Sequence, residues 1–184
     1  MHEKLVEISK KNQNLIGCHG YEHTVRVIEL CIEIGNVLNA DMDVLIPAAI
    51  LHDIGRSKEN HAKESAYMAR EILIEQGYSK IEEIIHVIEV HSFSRGGEVK
   101  SIEARILSDA DKLDAMGAVG AYRAAQYGVE HERPIEEFIE HFHEKLLILR
   151  DLLYTKEAKI LAKKRHKFML AYLDQINREL KCLS

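Results

Sequence analysis

The sequence predicts an all-α fold, a single bundle of about seven to nine helices, on three observations. Apolar residues recur at helical spacing along most of the 184 residues, prolines are confined to Pro47 and Pro134, and strand-type alternation is hard to find. A content of 46% hydrophobic and 30% charged residues is that of a globular chain, long enough for one domain with a sizeable core.

Each element follows in order. From Tyr21 to Ala40, Val25, Ile28, Ile32 and Gly35 share one helical face. Asp43 is the expected N-cap of the next helix, with Pro47 near enough to its first turn to be tolerated. That helix runs through Ala48-Ala49-Ile50-Leu51 into His52-Asp53 and a turn at Gly55-Arg56-Ser57. His61 opens a further helix, Gly77-Tyr78 marks a turn, and Ser79 with Glu82 forms a capping-box pattern before the helix running toward His91. A turn at Arg95-Gly96-Gly97 precedes the helical stretch around Ile106 to Gly117. Ile135, Phe138, Ile139, Phe142, Leu146, Leu149 and Leu153 form one stripe; Leu161, Phe168, Tyr172, Leu173, Ile176 and Leu180 form the last. No Gly-, Ser- or Pro-rich linker and no repeat divides the chain, so 1–184 reads as a single domain.

Composition narrows the function. A net charge of -5, from 25 basic and 30 acidic side chains, has the wrong sign for gripping a nucleic-acid polymer. No apolar run reaches the ~18 to 20 residues of a membrane span. The opening MHEKLVEISKKNQN lacks the apolar core of a signal peptide, and Cys18, Cys31 and Cys182 show no CxxC spacing. A cytoplasmic chain with reduced thiols is therefore expected. Eleven histidines raise the question of a metal.

His52 and Asp53 end an apolar helix side by side, about 100° apart, so one apolar face cannot bury both without compensation. A helix-terminal Asp beside a His bonded to a carbonyl would explain the pair alone. His23, on the preceding amphipathic helix, reads alone as a satisfied core histidine. Asp111 lies four residues from Leu107 and from Ala115, on a face with apolar neighbours, where an ionised carboxylate needs a cation or several donors. Two imidazoles and two carboxylates from three helices suit a divalent transition metal.

His23, His52-Asp53 and Asp111 reproduce the H…HD…D pattern of the HD superfamily of metal-dependent phosphohydrolases, which are all-helical. The resemblance is fullest from about His19 to Gly128, where HDIGR, HSFSRGG and SDADKLDAMGAVGA resemble small stand-alone HD hydrolases. The helices of 134–183 fit that fold without a motif. The resemblance implies His23, His52, Asp53 and Asp111 as metal ligands. Asp111 is preferred to Asp109 because the ligand directly precedes a Lys or Arg; Asp109 is then a helix cap or an acceptor for a ligand histidine. Lys112 and Arg56 are the candidate phosphate clamps, with Arg95 and the pocket-lining His19 as further substrate-side residues. Arg56 stands where the 5′-nucleotidase branch has Glu, and the Glu-Asp pair of the ppGpp-hydrolase branch is absent.

His61 and His91 resemble the extra histidines of the dinuclear branches, which implies a second ion bridged by Asp53. His86 lies about 140° round the helix from His91 and is expected to stand aside. His131, His141, His143 and His166 read as solvated. One or two ions are expected, iron or manganese first, with cobalt, nickel, zinc and magnesium as alternatives. The expected reaction is attack of a metal-activated water on a phosphoester or phosphoanhydride of a nucleotide-like molecule, with Asp53 and Lys112 in catalytic roles. Asp114 and His19 are candidates for the general acid. A di-iron oxygenase and a non-catalytic nucleotide-binding signalling module are the alternatives.

Overall fold

The computed structural model describes residues 2–13, 17, 18, 20–56, 60–91 and 99–182, and among these no residue is in a strand. The α-helices are α1 (Glu3–Asn12), α2 (Tyr21–Leu38), α3 (Met42–Leu51), α4 (His61–Glu75), α5 (Ile81–Val90), α6 (Ile102–Asp114), α7 (Gly117–Glu130), α8 (Ile135–His141) and α9 (Lys156–Lys181). Two compact units divide the chain, Met1–Asp111 and Lys112–Ser184, the division falling within α6.

In the first unit α3 is the central helix, packed by α1, α2, α4 and α5. Its composition explains its place: Val44, Leu45, Pro47, Ala48, Ala49, Ile50 and Leu51 are all buried, so it is apolar all round rather than on one stripe. The Ser9 hydroxyl of α1 donates to the Ile50 carbonyl at 2.8 Å, satisfying a buried acceptor near the helix end. The cap differs from expectation. Asp41, not Asp43, is the N-cap, its carboxylate accepting from the Asp43 N–H at 3.1 Å, so Pro47 lies inside the helix.

The face buried by α2 also differs. His23, Val27, Leu30, Cys31 and Ile34 form the buried stripe, at i, i+4, i+7, i+8 and i+11, while Val25 and Ile32 are exposed. His23 is a core residue, as its reading on its own implied, but the stripe it lies on is not the one through Val25 and Ile32. At the start of α5 the capping box does not form: Lys80 is the N-cap without a side-chain bond, and the Glu82 carboxylate instead takes both guanidinium nitrogens of Arg70 on α4.

In the second unit the stripe predicted from Ile135 to Leu153 breaks into α8, a π-helical turn at Phe142–Leu146 and a 3₁₀ turn at Ile148–Leu152. Phe142, Leu146, Leu149 and Leu153 are buried while Ile135 is exposed. On α9, which packs on α7, the buried residues are Ala158, Ala162, Met169 and Leu173, and Phe168 is exposed. Thr155 caps α9, accepting from the Ala158 N–H at 3.2 Å. Gly117, at φ +76°, makes the turn from α6 into α7, and its N–H donates to Met169 Sδ at 3.0 Å.

Candidate metal centre

The α3 helix delivers His52 as its C-terminal cap residue, and the chain then turns tightly, with the Arg56 N–H donating to the Asp53 carbonyl at 3.1 Å. Both His52 and Asp53 are buried. The His52 ring donates from Nδ1 to the Ala49 carbonyl at 2.8 Å, which leaves Nε2 with its lone pair inward. His23, from the buried stripe of α2, brings its Nε2 to 3.3 Å from His52 Nε2 and 3.8 Å from Asp53 Oδ2. His52 Nε2 is 4.0 Å from the same carboxylate oxygen. Two nitrogens and one oxygen thus converge, mutually within 4.8 Å. Asp111 joins from α6, its Oδ1 3.3 Å from His23 Nε2 with a third of the side chain exposed; it is in neither of the two tight groups of ligand atoms.

A second group forms around the same carboxylate. Asp53, His61 and His91 also present ligand atoms within 4.8 Å of one another. His61 is the first residue of α4 and half-buried; His91 follows α5 and is buried. His91 repeats the device of His52, donating from Nδ1 to the Ile88 carbonyl at 2.5 Å. The four rings run in sequence, with centroids 5.3 Å apart from His23 to His52, 5.1 Å from His52 to His91 and 5.8 Å from His91 to His61.

The electrostatics favour a cation. Burial lowers the pKa of His52 and of His91, which favours the neutral rings that ligation requires. His61 is lowered by burial and by the neighbouring Arg56. Burial works against charge on Asp53, yet His52, Arg56, His23 and His91 around it hold its carboxyl well below the usual carboxylate range. Asp111, likewise opposed by burial, is lowered by the hydrogen bond and charge of His23. Asp53 Oδ2 is buried and has no hydrogen-bond partner among the described residues. An ionised buried oxygen without a donor, facing imidazole lone pairs, fits a divalent ion of the nitrogen–oxygen type.

The substrate-side residues are placed unevenly. The Arg56 Nη1 lies 3.4 Å from Asp53 Oδ1, half-exposed at the edge of the centre. Lys112 is buried, its Nζ 5.1 Å from the centroid of the Tyr154 ring. Arg95 and His19 lie outside the described residues. Asp109 is buried inside α6, which excludes the cap role. Asp114, a candidate acid in the sequence, holds the Arg123 guanidinium at 2.7 Å in the second unit. Sequence reasoning missed two serines, Ser65 and Ser108, whose buried hydroxyls bond the Gly55 N–H and the His91 carbonyl; nothing in their local sequence marks them.

The HD domain profile matches residues 20–116. An uncharacterized Bacillus subtilis protein, YpgQ, is 32% identical over 173 residues, covering 88% of this chain and 84% of its own. The crystal structure of YpgQ in complex with ADP superposes with a TM-score of 0.83, at 29% identity and 97% coverage of each chain. An HD-superfamily hydrolase from Bacillus thuringiensis gives 0.79 at 28% identity, over 97% of this chain and 96% of that one. Ribonuclease Y of Symbiobacterium thermophilum is 28% identical over 119 residues, 62% of this chain but only 22% of the ribonuclease.

Proposed function

The chain belongs to the HD domain family, and from that premise we propose that it is a metal-dependent phosphohydrolase acting on a small nucleotide. The observation that carries this reading is Asp53: one buried, ionised carboxylate shared by two groups of imidazoles, with one oxygen left without a donor. The similar protein YpgQ with bound ADP favours a nucleotide over other phosphate esters. His23, His52, Asp53 and Asp111 would hold one divalent ion, and Asp53, His61 and His91 a second, with iron or manganese suiting the mixed donors best. When bound, such ions lower the pKa of a water toward neutrality and polarise a phosphoryl oxygen.

The protein's own residues supply the rest. Asp53 stays ionised at neutral pH and holds Arg56 beside it, so the guanidinium is already oriented where a phosphate would arrive. Lys112, next in the chain to Asp111, is the second candidate for phosphate charge, with Arg95 and His19 as further substrate contacts. The buried His52 and His91 rings exclude water from one side of the centre. The assignment supports residence in the cytoplasm, where nucleotides are abundant, and no helix among the described residues is long and apolar enough to cross a membrane.

The test is hydrolysis by metal-stripped protein resupplied with Mn, Fe, Co, Ni or Mg. The panel holds nucleoside phosphates, dinucleotides, sugar phosphates and a short oligoribonucleotide, and is run without oxygen. Metal-dependent release of phosphate or pyrophosphate from a nucleotide is expected, with turnover about 10²-fold lower and metal content unchanged in Lys112→Ala. Release from no phosphorylated compound, or a requirement for oxygen, would overturn the reading. Cleavage of the oligoribonucleotide alone would move the activity toward that of ribonuclease Y.

A further inference from the structure

We infer that Ser65 and Ser108 are positioning residues that lock the second group of ligands, His61 and His91, to the first. The inference rests on the two-ion reading above. Ser65 lies on α4, four residues after His61 and therefore on the same helix face. It is fully buried, and its Oγ accepts the Gly55 N–H at 2.9 Å. Gly55 is two residues after Asp53, in the turn that carries the shared carboxylate. The approach is backbone to backbone: a Cβ on Gly55 would stand 2.6 Å from the Ser65 nitrogen and 2.8 Å from the Glu64 Cβ. The glycine allows α4 to close on the turn, and the hydroxyl ties the helix that opens with His61 to the turn that carries Asp53.

Ser108 does the same for His91. It lies on α6, three residues before Asp111 and so on that ligand's side of the helix. Its buried hydroxyl donates to the His91 carbonyl at 2.8 Å, meeting an acceptor that the end of α5 leaves outside the helix ladder. The His91 ring is already held by the Ile88 carbonyl, so backbone and ring are both fixed. In each case a serine inside a helix, where alanine would be the better helix former, bonds outside its own helix. The first bond ties the helix of His61 to the turn that carries the shared Asp53, and the second ties His91 to the helix that carries Asp111.

The experiment titrates metal-stripped protein with Mn²⁺, following free ion by electron paramagnetic resonance. It compares wild type, Ser65→Ala, Ser108→Ala, their Thr counterparts, and Thr155→Ala as a buried-hydroxyl variant in the other unit. Either Ala variant should weaken the second ion by about 10- to 100-fold while the first stays within about threefold. The Thr variants, which keep the hydroxyl, should recover most of that loss. Thr155→Ala should lower thermal stability with both affinities unchanged. Two ions bound as tightly in both Ala variants as in wild type would overturn the clamp alone, as would equal weakening of both ions. A wild type that binds one ion, unaffected by His61→Ala with His91→Ala, would overturn the two-ion reading and the clamp with it.

Discussion

His52 and His91 reach their places in the same way, each donating from Nδ1 to the carbonyl three residues back at the end of its own helix. Burial then sets their protonation. Both pKa values are lowered in the folded protein, so between those values and the ordinary imidazole value of about 6.5 the unfolded chain binds more protons than the folded one. Stability of the metal-free protein is therefore full above that value and falls as pH drops below it. The lowered Asp53 and Asp111 add their loss below this window, as pH falls from the ordinary carboxylate value of about 3.9 toward their lowered values. Thermal unfolding of stripped protein from pH 7.5 to 5 should show the midpoint falling, and a flat or rising midpoint would mean that the two rings are not held neutral. The same residues show what the sequence could disclose. The sequence pattern singles out His23, His52, Asp53 and Asp111; the structure gathers the first three within 4.8 Å of one another and sets Asp111 against His23. That Asp53 Oδ2 faces no donor was not, since it depends on the packing of α2, α3 and α5.

At the scale of elements, glycines separate close approaches from tolerant ones. An alanine at Gly55 meets the backbone of α4, which cannot move aside without carrying His61 with it. Gly55→Ala should cost about 3 kcal/mol, the upper end for overpacking. An alanine at Gly35, inside α2, meets the tips of Leu45 and Met42, the nearest carbon at 2.8 Å, and those side chains can shift. There the gain in helix propensity, about 1 kcal/mol, offsets much of the strain, so Gly35→Ala should be within about 1 kcal/mol of wild type. Urea unfolding of both variants checks the ranking, and equal costs would mean that the α4 contact is not rigid. Helix positions were largely readable from periodicity, because the 3.6-residue pattern persists through α2 and α9. Faces and caps were less so. The buried stripe of α2 includes a histidine, two of the four buried residues of α9 are alanines, and the Ser79–Glu82 cap lost Glu82 to Arg70 on another helix. Each is a tertiary preference that local spacing does not contain.

For the molecule as a whole, a formal charge of -5 and a buried cluster of imidazoles and carboxylates point to the same division of labour. With a net negative charge, the proposed reaction would draw phosphate in locally, through the ions its ligands would hold and through Arg56 at the edge of the centre. The central claim is that Asp53 serves two ions at once. Elemental analysis of protein purified without chelator, beside phosphate release from a nucleotide, tests it on three chains. Wild type should carry about two equivalents, His61→Ala with His91→Ala about one, and Asp53→Ala none, with hydrolysis lost. Metal content and turnover near wild type in Asp53→Ala would contradict the account.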